Sequence, residues 1–205
     1  MPGEKASGWE RVALTPTSVA IENAGLSFCI QWAYKVKPYQ VAGPDRLVSE
    51  RYDIIAKSEK ASNNEQMRAM MQVLLADRFG LRLHRDTRTV AIYNLIVASP
   101  AKLQRASPDQ SAGMTVENGS FVFRRVTMAG FAERLTDFST IDRPVLDRTG
   151  LDGSFDITLT SAPSAMSSNP DAIFAAVEGA GFRLNRSKAP IEILVVDHAE
   201  APSAN

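Results

Sequence analysis

The sequence predicts an α+β fold of two duplicated βαββαββ lobes, with helices packed on small mixed sheets. Three repeated blocks carry that expectation. Leu47-Val-Ser-Glu-Arg-Tyr-Asp-Ile-Ile-Ala56 returns as Gly150-Leu-Asp-Gly-Ser-Phe-Asp-Ile-Thr-Leu159, with Tyr52-Asp53-Ile54 matching Phe155-Asp156-Ile157 at an offset of 103 residues. Phe79-Gly-Leu-Arg-Leu83 matches Ala180-Gly-Phe-Arg-Leu184 at an offset of 101, and the segment from Thr17 matches the one from Gly119 at 102. A near-constant offset in separate blocks signals a copied supersecondary unit. Within each copy, stretches of period two alternate with stretches of period 3.6, so strands and helices mix over short connections.

The elements follow in order. Residues 1–16 form a polar arm in which Val12 and Leu14 can pair on a sheet edge. The first lobe spans 17–98. Val19 and Ile21 alternate with polar neighbours as a strand, and Leu26, Ile30, Ala33 and Tyr34 follow at helical spacing until Pro38. Tyr39 to Ala42 and Arg51 to Lys57 are further strands. Asn63 opens the clearest helix, with Gln66 completing a capping box. Met67, Met70, Met71, Leu74, Leu75 and Phe79 supply its apolar face, and Gly80 stops it. Leu81–Arg85 and Thr89–Val97 are two closing strands joined by an Asp86-Thr87-Arg88 hairpin loop.

Residues 99–118 read as a linker rich in Pro, Gly and Ser. The second lobe, 119–198, repeats the order. Phe121 and Phe123 mark a strand, and Thr127 caps a helix carrying Met128, Phe131, Ala132 and Leu135. Pro144–Asp147 is a short strand, Asp152-Gly153 a hairpin turn, and Ser154–Thr160 the repeated strand. Ala162–Ser168 is a loop. Asn169-Pro170 starts a helix whose Ile173, Phe174 and Val177 face the core. Arg183–Arg186 and Ile191–Val196 close the lobe, and 199–205 is a frayed tail.

Composition narrows function less than architecture. The chain has 205 residues, 44% hydrophobic and 22% charged, with Lys+Arg and Asp+Glu equal at 23. That balance offers no electrostatic footprint for nucleic acid. No apolar run is long enough for a membrane span, and Met1-Pro-Gly-Glu-Lys has no apolar signal-peptide core. The single Cys29 sits in an apolar run and reads as a small buried hydrophobe.

Chemistry finds few candidates. The two histidines, His84 and His198, occupy inequivalent places in the repeat, and no ligand cluster of metal-site type occurs, so no metal and no cofactor is expected. No G-x-S-x-G elbow, Walker loop or dinucleotide fingerprint is present. Asp53 and Asp156 share one slot in both copies. They could form an acid–base pair, but an Asp beside a turn more simply accepts backbone amides or an Arg, and Arg82 and Arg183 recur as well. Trp9, Trp32, Tyr39 and Phe138 could line a groove where the lobes meet. The expected binding residues are therefore Tyr39, Asp53, Asp156 and Phe138, with no catalytic residue assigned.

Three long motifs resemble a known family. They are Gln72-Val-Leu-Leu-Ala-Asp-Arg-Phe-Gly-Leu-Arg-Leu-His-Arg-Asp-Thr-Arg88, Arg143-Pro-Val-Leu-Asp-Arg-Thr-Gly-Leu-Asp-Gly-Ser-Phe-Asp-Ile-Thr-Leu159, and Ala189-Pro-Ile-Glu-Ile-Leu-Val-Val-Asp-His-Ala-Glu-Ala-Pro-Ser203. They resemble the Solibacter-type group of uncharacterised proteins, a domain of unknown function expanded in Acidobacteria. The likeness covers about residues 10–205. Members usually carry an export signal, which implies a periplasmic or secreted place, and none has assigned catalytic residues. Gly43-Pro-Asp-Arg-Leu47 departs from the family pattern of Gly-Gly-Pro and a Trp. The run from Ile173 to His198 is also similar to the end of the short N-terminal domain of secretins and TonB-dependent transducers. The expected function is a non-catalytic extracytoplasmic binding or assembly module with a protein partner or self-association. The alternatives are a hydrolase using Asp53, Asp156 or His84, and an envelope or filament subunit that assembles through strand edges.

Overall fold

The computed structural model describes residues 10–202. Trp9 lies outside that range. The fold is α+β, with short helices on three small sheets. Two compact units divide the chain: residues 1–88 with 191–205, and residues 89–190.

The first unit opens with β1 (Arg11–Thr15), β2 (Ser18–Gly25) and α1 (Leu26–Tyr34). A 3-10 turn at Pro38–Gln40 leads to β3 (Val41–Ala42), then come α2 (Arg46–Ser49), β4 (Arg51–Lys57) and α3 (Asn64–Phe79). β1, β2 and β4 form an antiparallel sheet in that order, so β1 and β4 are its edges. Val19 and Ile21 on β2, with Ile54 and Ala56 on β4, turn inward against α1 and α3, as strand alternation requires.

α3 owes its start to Asn63, whose side chain accepts from the Gln66 N–H while Gln66 reaches back to the Asn63 N–H. Met67, Met71, Leu75 and Phe79, four residues apart, are all buried. Gly80 ends the helix at φ 56°, a left-handed conformation that costs glycine nothing. α3 also finishes α1: Gln72 donates to the Ala33 carbonyl at 2.9 Å and Arg68 donates to the Trp32 carbonyl, satisfying carbonyls that a helix end leaves open. The Arg68 guanidinium stacks 4.9 Å from the half-buried Trp32 ring.

The expected hairpin at Asp86-Thr87-Arg88 does not form. Arg82–Val97 is one strand, β5. A tight hairpin needs residues that accept φ > 0, whereas Thr87, Thr89 and Val90 are β-branched and favour extension. The last two predicted strands merge in the same way into β11 (Phe182–His198). That removes the hairpin on which the likeness to secretin and TonB-type domains partly rested. β5 and β11 are neighbours in the third sheet, and each passes from one unit to the other. The units consequently divide the chain at 88/89 and 190/191, not at the expected lobe boundaries. The C-terminal half of β11 pairs with β3, Leu194 opposite Val41, in the first unit. The tail is not frayed through residue 200. Ala199 is buried, its carbonyl accepts from Arg46, and Glu200 N–H donates to the Phe79 carbonyl at 2.8 Å.

In the second unit, residues 99–118 are more structured than a linker. They hold β6 (Gln104–Arg105) and β7 (Gly113–Glu117), which returns through Asn118-Gly119 into β8 (Ser120–Thr127). α4 (Met128–Thr136) is capped by Thr127, which accepts from Gly130 N–H at 3.1 Å. β9 (Val145–Asp147) pairs parallel with β5, and β10 (Ser154–Leu159) lies between β6 and β8. Since β9 and β10 belong to different sheets, Asp152-Gly153 is not a hairpin turn. The expected loop at 162–168 contains α5 (Pro163–Ser168). Its polar composition hides a single anchor, the fully buried Met166, and Thr140 donates to the Met166 carbonyl at 2.6 Å. α6 (Pro170–Gly179) follows, capped by Asn169. Phe123, Phe131 and Phe182 meet in the core of the second unit, one pair edge-on and the other tilted, with centroids 5.2 and 5.5 Å apart.

Candidate functional site

Both repeated aspartates sit at strand bulges and hold backbone, each inside its own unit. Asp53 Oδ1 accepts the Asn23 N–H at 2.7 Å, where the β2–β4 register slips and Asn23 adopts φ 51°. Asp156 Oδ1 accepts the Arg125 N–H at 2.9 Å, where the β8–β10 register slips and Arg125 adopts φ 51°. In each case the strained residue lies just before a helix, so the carboxylate fixes the corner from strand into helix. Arg183 does not join Asp156. It pairs with Glu178 at 3.4 Å, on the neighbouring helix.

The aromatic candidates separate by unit. Tyr39 stands partly exposed on the 3-10 turn of the first unit. Phe138 belongs to the second, meeting Phe121 edge-on at 5.1 Å beside a shallow pocket of about 290 Å³. His84 Nδ1 lies 2.8 Å from Asp197 Oδ1, and His198 Nε2 lies 2.8 Å from Glu200 Oε1, all in the first unit, with His198 half-buried and the other three exposed. Among the described residues no group of three His, Cys, Asp or Glu is placed to hold a metal. The Cys29 thiol is pushed up to about 12 by burial in the apolar core, far from a nucleophile's range.

The site that stands out is a groove of about 540 Å³ between β4 and α3. Ile55 and Lys57 border it from the strand, and Met70, Val73, Leu74 and Asp77 from the helix. Ile55 and Val73 are each 61% exposed. Groove and strand edge coincide: β4 pairs only with β2 among the described residues, so one row of its N–H and C=O groups faces outward. Sequence reasoning placed Met70 and Leu74 in the core, and they are half-buried on the groove side. It passed over Ile55 and Val73. The available signal was Ile54-Ile55, two large apolar residues in succession on a strand that otherwise alternates, and Val73 lying off the Met67, Met71, Leu75 stripe.

The second unit covers the first part of the matching edge, at Phe155 and Asp156. β6 lies antiparallel on β10, Arg105 opposite Phe155 and Gln104 opposite Asp156. Lys102 donates to the Gly179 carbonyl at the end of α6, and the Arg105 guanidinium stacks 5.3 Å from the Phe155 ring. Gly181 permits this closeness. It has φ 94°, and a Cβ there would lie 2.8 Å from the Ser99 carbonyl.

Comparison with protein families finds the DUF3738 model, described as a protein of unknown function, across residues 27–199. The chain belongs to the DUF3738 family. The match spans both units and includes β4, α3 and the connector that carries β6. No curated protein and no solved structure matches the chain. No described helix is long and apolar enough to cross a membrane.

Proposed function

We propose that this DUF3738 protein is a non-catalytic binding or assembly module that works outside the cytoplasm. One observation carries the reading: an apolar groove lies along an unpaired strand edge, rimmed by Lys57 and Asp77. Strand edges of this kind recruit other chains, because backbone groups supply affinity and alternate side chains supply selection. The hydrolase alternative has less to rest on. Asp53 and Asp156 already hold backbone amides and His84 already faces Asp197. The proposed placement outside the cytoplasm is supported by the resemblance to a group whose members usually carry an export signal.

The matching corners at Asn23–Asp53 and Arg125–Asp156 also support descent from a duplicated unit. In that reading β4 and α3 correspond to β10 and α6, and the duplication left one edge open and the other partly covered.

A photo-crosslinking amino acid at position 73, in cells producing the full-length protein, tests the function. Discrete protein adducts are expected from position 73 and not from exposed position 65 at the start of α3. Equal labelling from both positions, or none from 73, refutes the module reading.

A further inference from the structure

We infer that the open edge of β4 is a homodimer interface, on which a second copy of this chain pairs β4 with β4 antiparallel about a two-fold axis at Ile55. The inference deepens the module reading and rests on it.

The register follows from the residues. On β4 the outward side chains are Arg51, Asp53, Ile55 and Lys57, whereas Ile54 and Ala56 turn into the core. An antiparallel pair must match the two faces, so only registers that join outward to outward are admissible. Centring the axis on Ile54 would set Arg51 against Lys57, cation on cation. Centring it on Ile55 sets Asp53 against Lys57 twice and Ile55 against itself, while Arg51, which already pairs with Glu10 at 2.6 Å, lies opposite residues beyond the end of β4. Every outward pair within β4 is then opposite in charge or apolar, and inward Ile54 meets inward Ala56. Opposite-charge and apolar cross-strand pairs favour a register, and like charges oppose it. A two-fold interface demands this self-complementarity. The same axis brings the two α3 flanks, with Met70, Val73 and Leu74, alongside each other and covers the exposed Val73.

The second unit supports this occupant through the corresponding edge, where a strand already covers Phe155 and Asp156. There β6 runs antiparallel to β10 beside α6, and Leu103 packs on the core. A strand of a second copy would do the same for β4 beside α3.

The test uses sedimentation velocity of the intact protein from about 5 to about 500 µM, a range that spans ordinary self-association. A concentration-dependent dimer is expected. Ile55→Lys sets two cations face to face on the axis and should leave a folded monomer whose melting temperature matches the wild type at concentrations where both are monomeric. Lys57→Asp opposes two acids twice and should weaken the dimer at least about tenfold. Ile55→Cys should give a disulfide-linked dimer with oxidised glutathione, since directly opposed residues have Cα atoms about 4.5–5.5 Å apart, within disulfide reach. Buried Cys29 offers no competing thiol. A protein monomeric at the highest concentration overturns the inference, as does a dimer indifferent to Ile55→Lys. So does hydrogen-exchange protection of the outward β4 amides in the monomer, which would mean the chain's own residues fill the edge. If the protein is monomeric yet position 73 cross-links to a different protein, the module reading survives and only the homodimer fails.

Discussion

Removing the Asp156 carboxylate should loosen the corner between β8 and α4, and the loss should depend on Arg125. Asp156→Ala deletes an ionised acceptor 2.9 Å from the Arg125 N–H. Hydrogen bonds to charged groups contribute roughly 1.5–3 kcal/mol. The site is only partly buried, so water recovers part of that and the expected loss is about 1–2 kcal/mol. Arg125 also carries the cost of φ 51°, roughly 1–2 kcal/mol for a residue other than Gly, Asn or Asp. Arg125→Gly removes that cost but adds roughly 0.5–1 kcal/mol of chain entropy, for a net gain near 0.5 kcal/mol. Once glycine adopts the left-handed conformation freely, the carboxylate has less to hold. In the Arg125→Gly background, Asp156→Ala should therefore cost about half as much, a coupling that a double-mutant cycle resolves. Thermal unfolding reads these changes at about 2–4 °C per kcal/mol for a chain of this size. The reasoning fails if Asp156→Ala leaves the melting temperature unchanged, or if its cost grows when Arg125 is glycine.

Two further outcomes test the packing and the charges. Leu75→Ala should cost about 3–5 kcal/mol because Leu75 is wholly buried, whereas Leu74→Ala, on the groove side, should cost about 1 kcal/mol. Urea unfolding measures both, and equal losses would mean the helix face is misassigned. The Arg143 guanidinium beside Asp142 holds its carboxyl at about 2, aided by the Tyr93 hydroxyl at 3.0 Å. A pKa lowered by folding contributes stability that is present above the unfolded value near 4 and is lost as pH falls toward 2. NMR titration should find Asp142 ionised at pH 3 and Arg143→Gln should move its midpoint upward; an unmoved midpoint would exclude the pair as cause.

What could be read in advance follows from the range of the interactions. The helix at Asn63 was legible to its caps, since Asn63, Gln66 and Gly80 act within a turn of their own backbone. The strand Arg51–Lys57 was legible because its alternation is local. The long strands were not. Whether Asp86-Thr87-Arg88 turns or continues depends on the neighbouring strand. α5 escaped because one buried methionine, Met166, holds it. β7 was announced by Asn118-Gly119, a strong hairpin pair, but Met114 and Val116 are exposed and its flanks read as polar. The aspartates were legible as repeated structural residues. That each holds a residue at positive φ was not, because Asn23 tolerates that conformation in many settings and Arg125 does not advertise it at all.

The groove was the least legible feature, and the reason bears on how the protein works. A core residue announces itself by falling in phase with its element. A residue that contacts another chain does so by breaking phase, and one sequence offers no second copy against which the break has meaning. Ile55 breaks the alternation of β4, and Val73 sits off the stripe of α3. Each alone is an unremarkable exposed hydrophobe. Placed together along an edge whose counterpart on β10 is partly covered by β6, they form one exposed apolar surface. Natural sheets usually blunt such edges with charge or cover them. β4 carries charge at Arg51, Asp53 and Lys57, yet the signs alternate so that they repel a copy in one register and attract it in another. In the proposed homodimer, the same residues that would protect the edge from indiscriminate pairing also select one register.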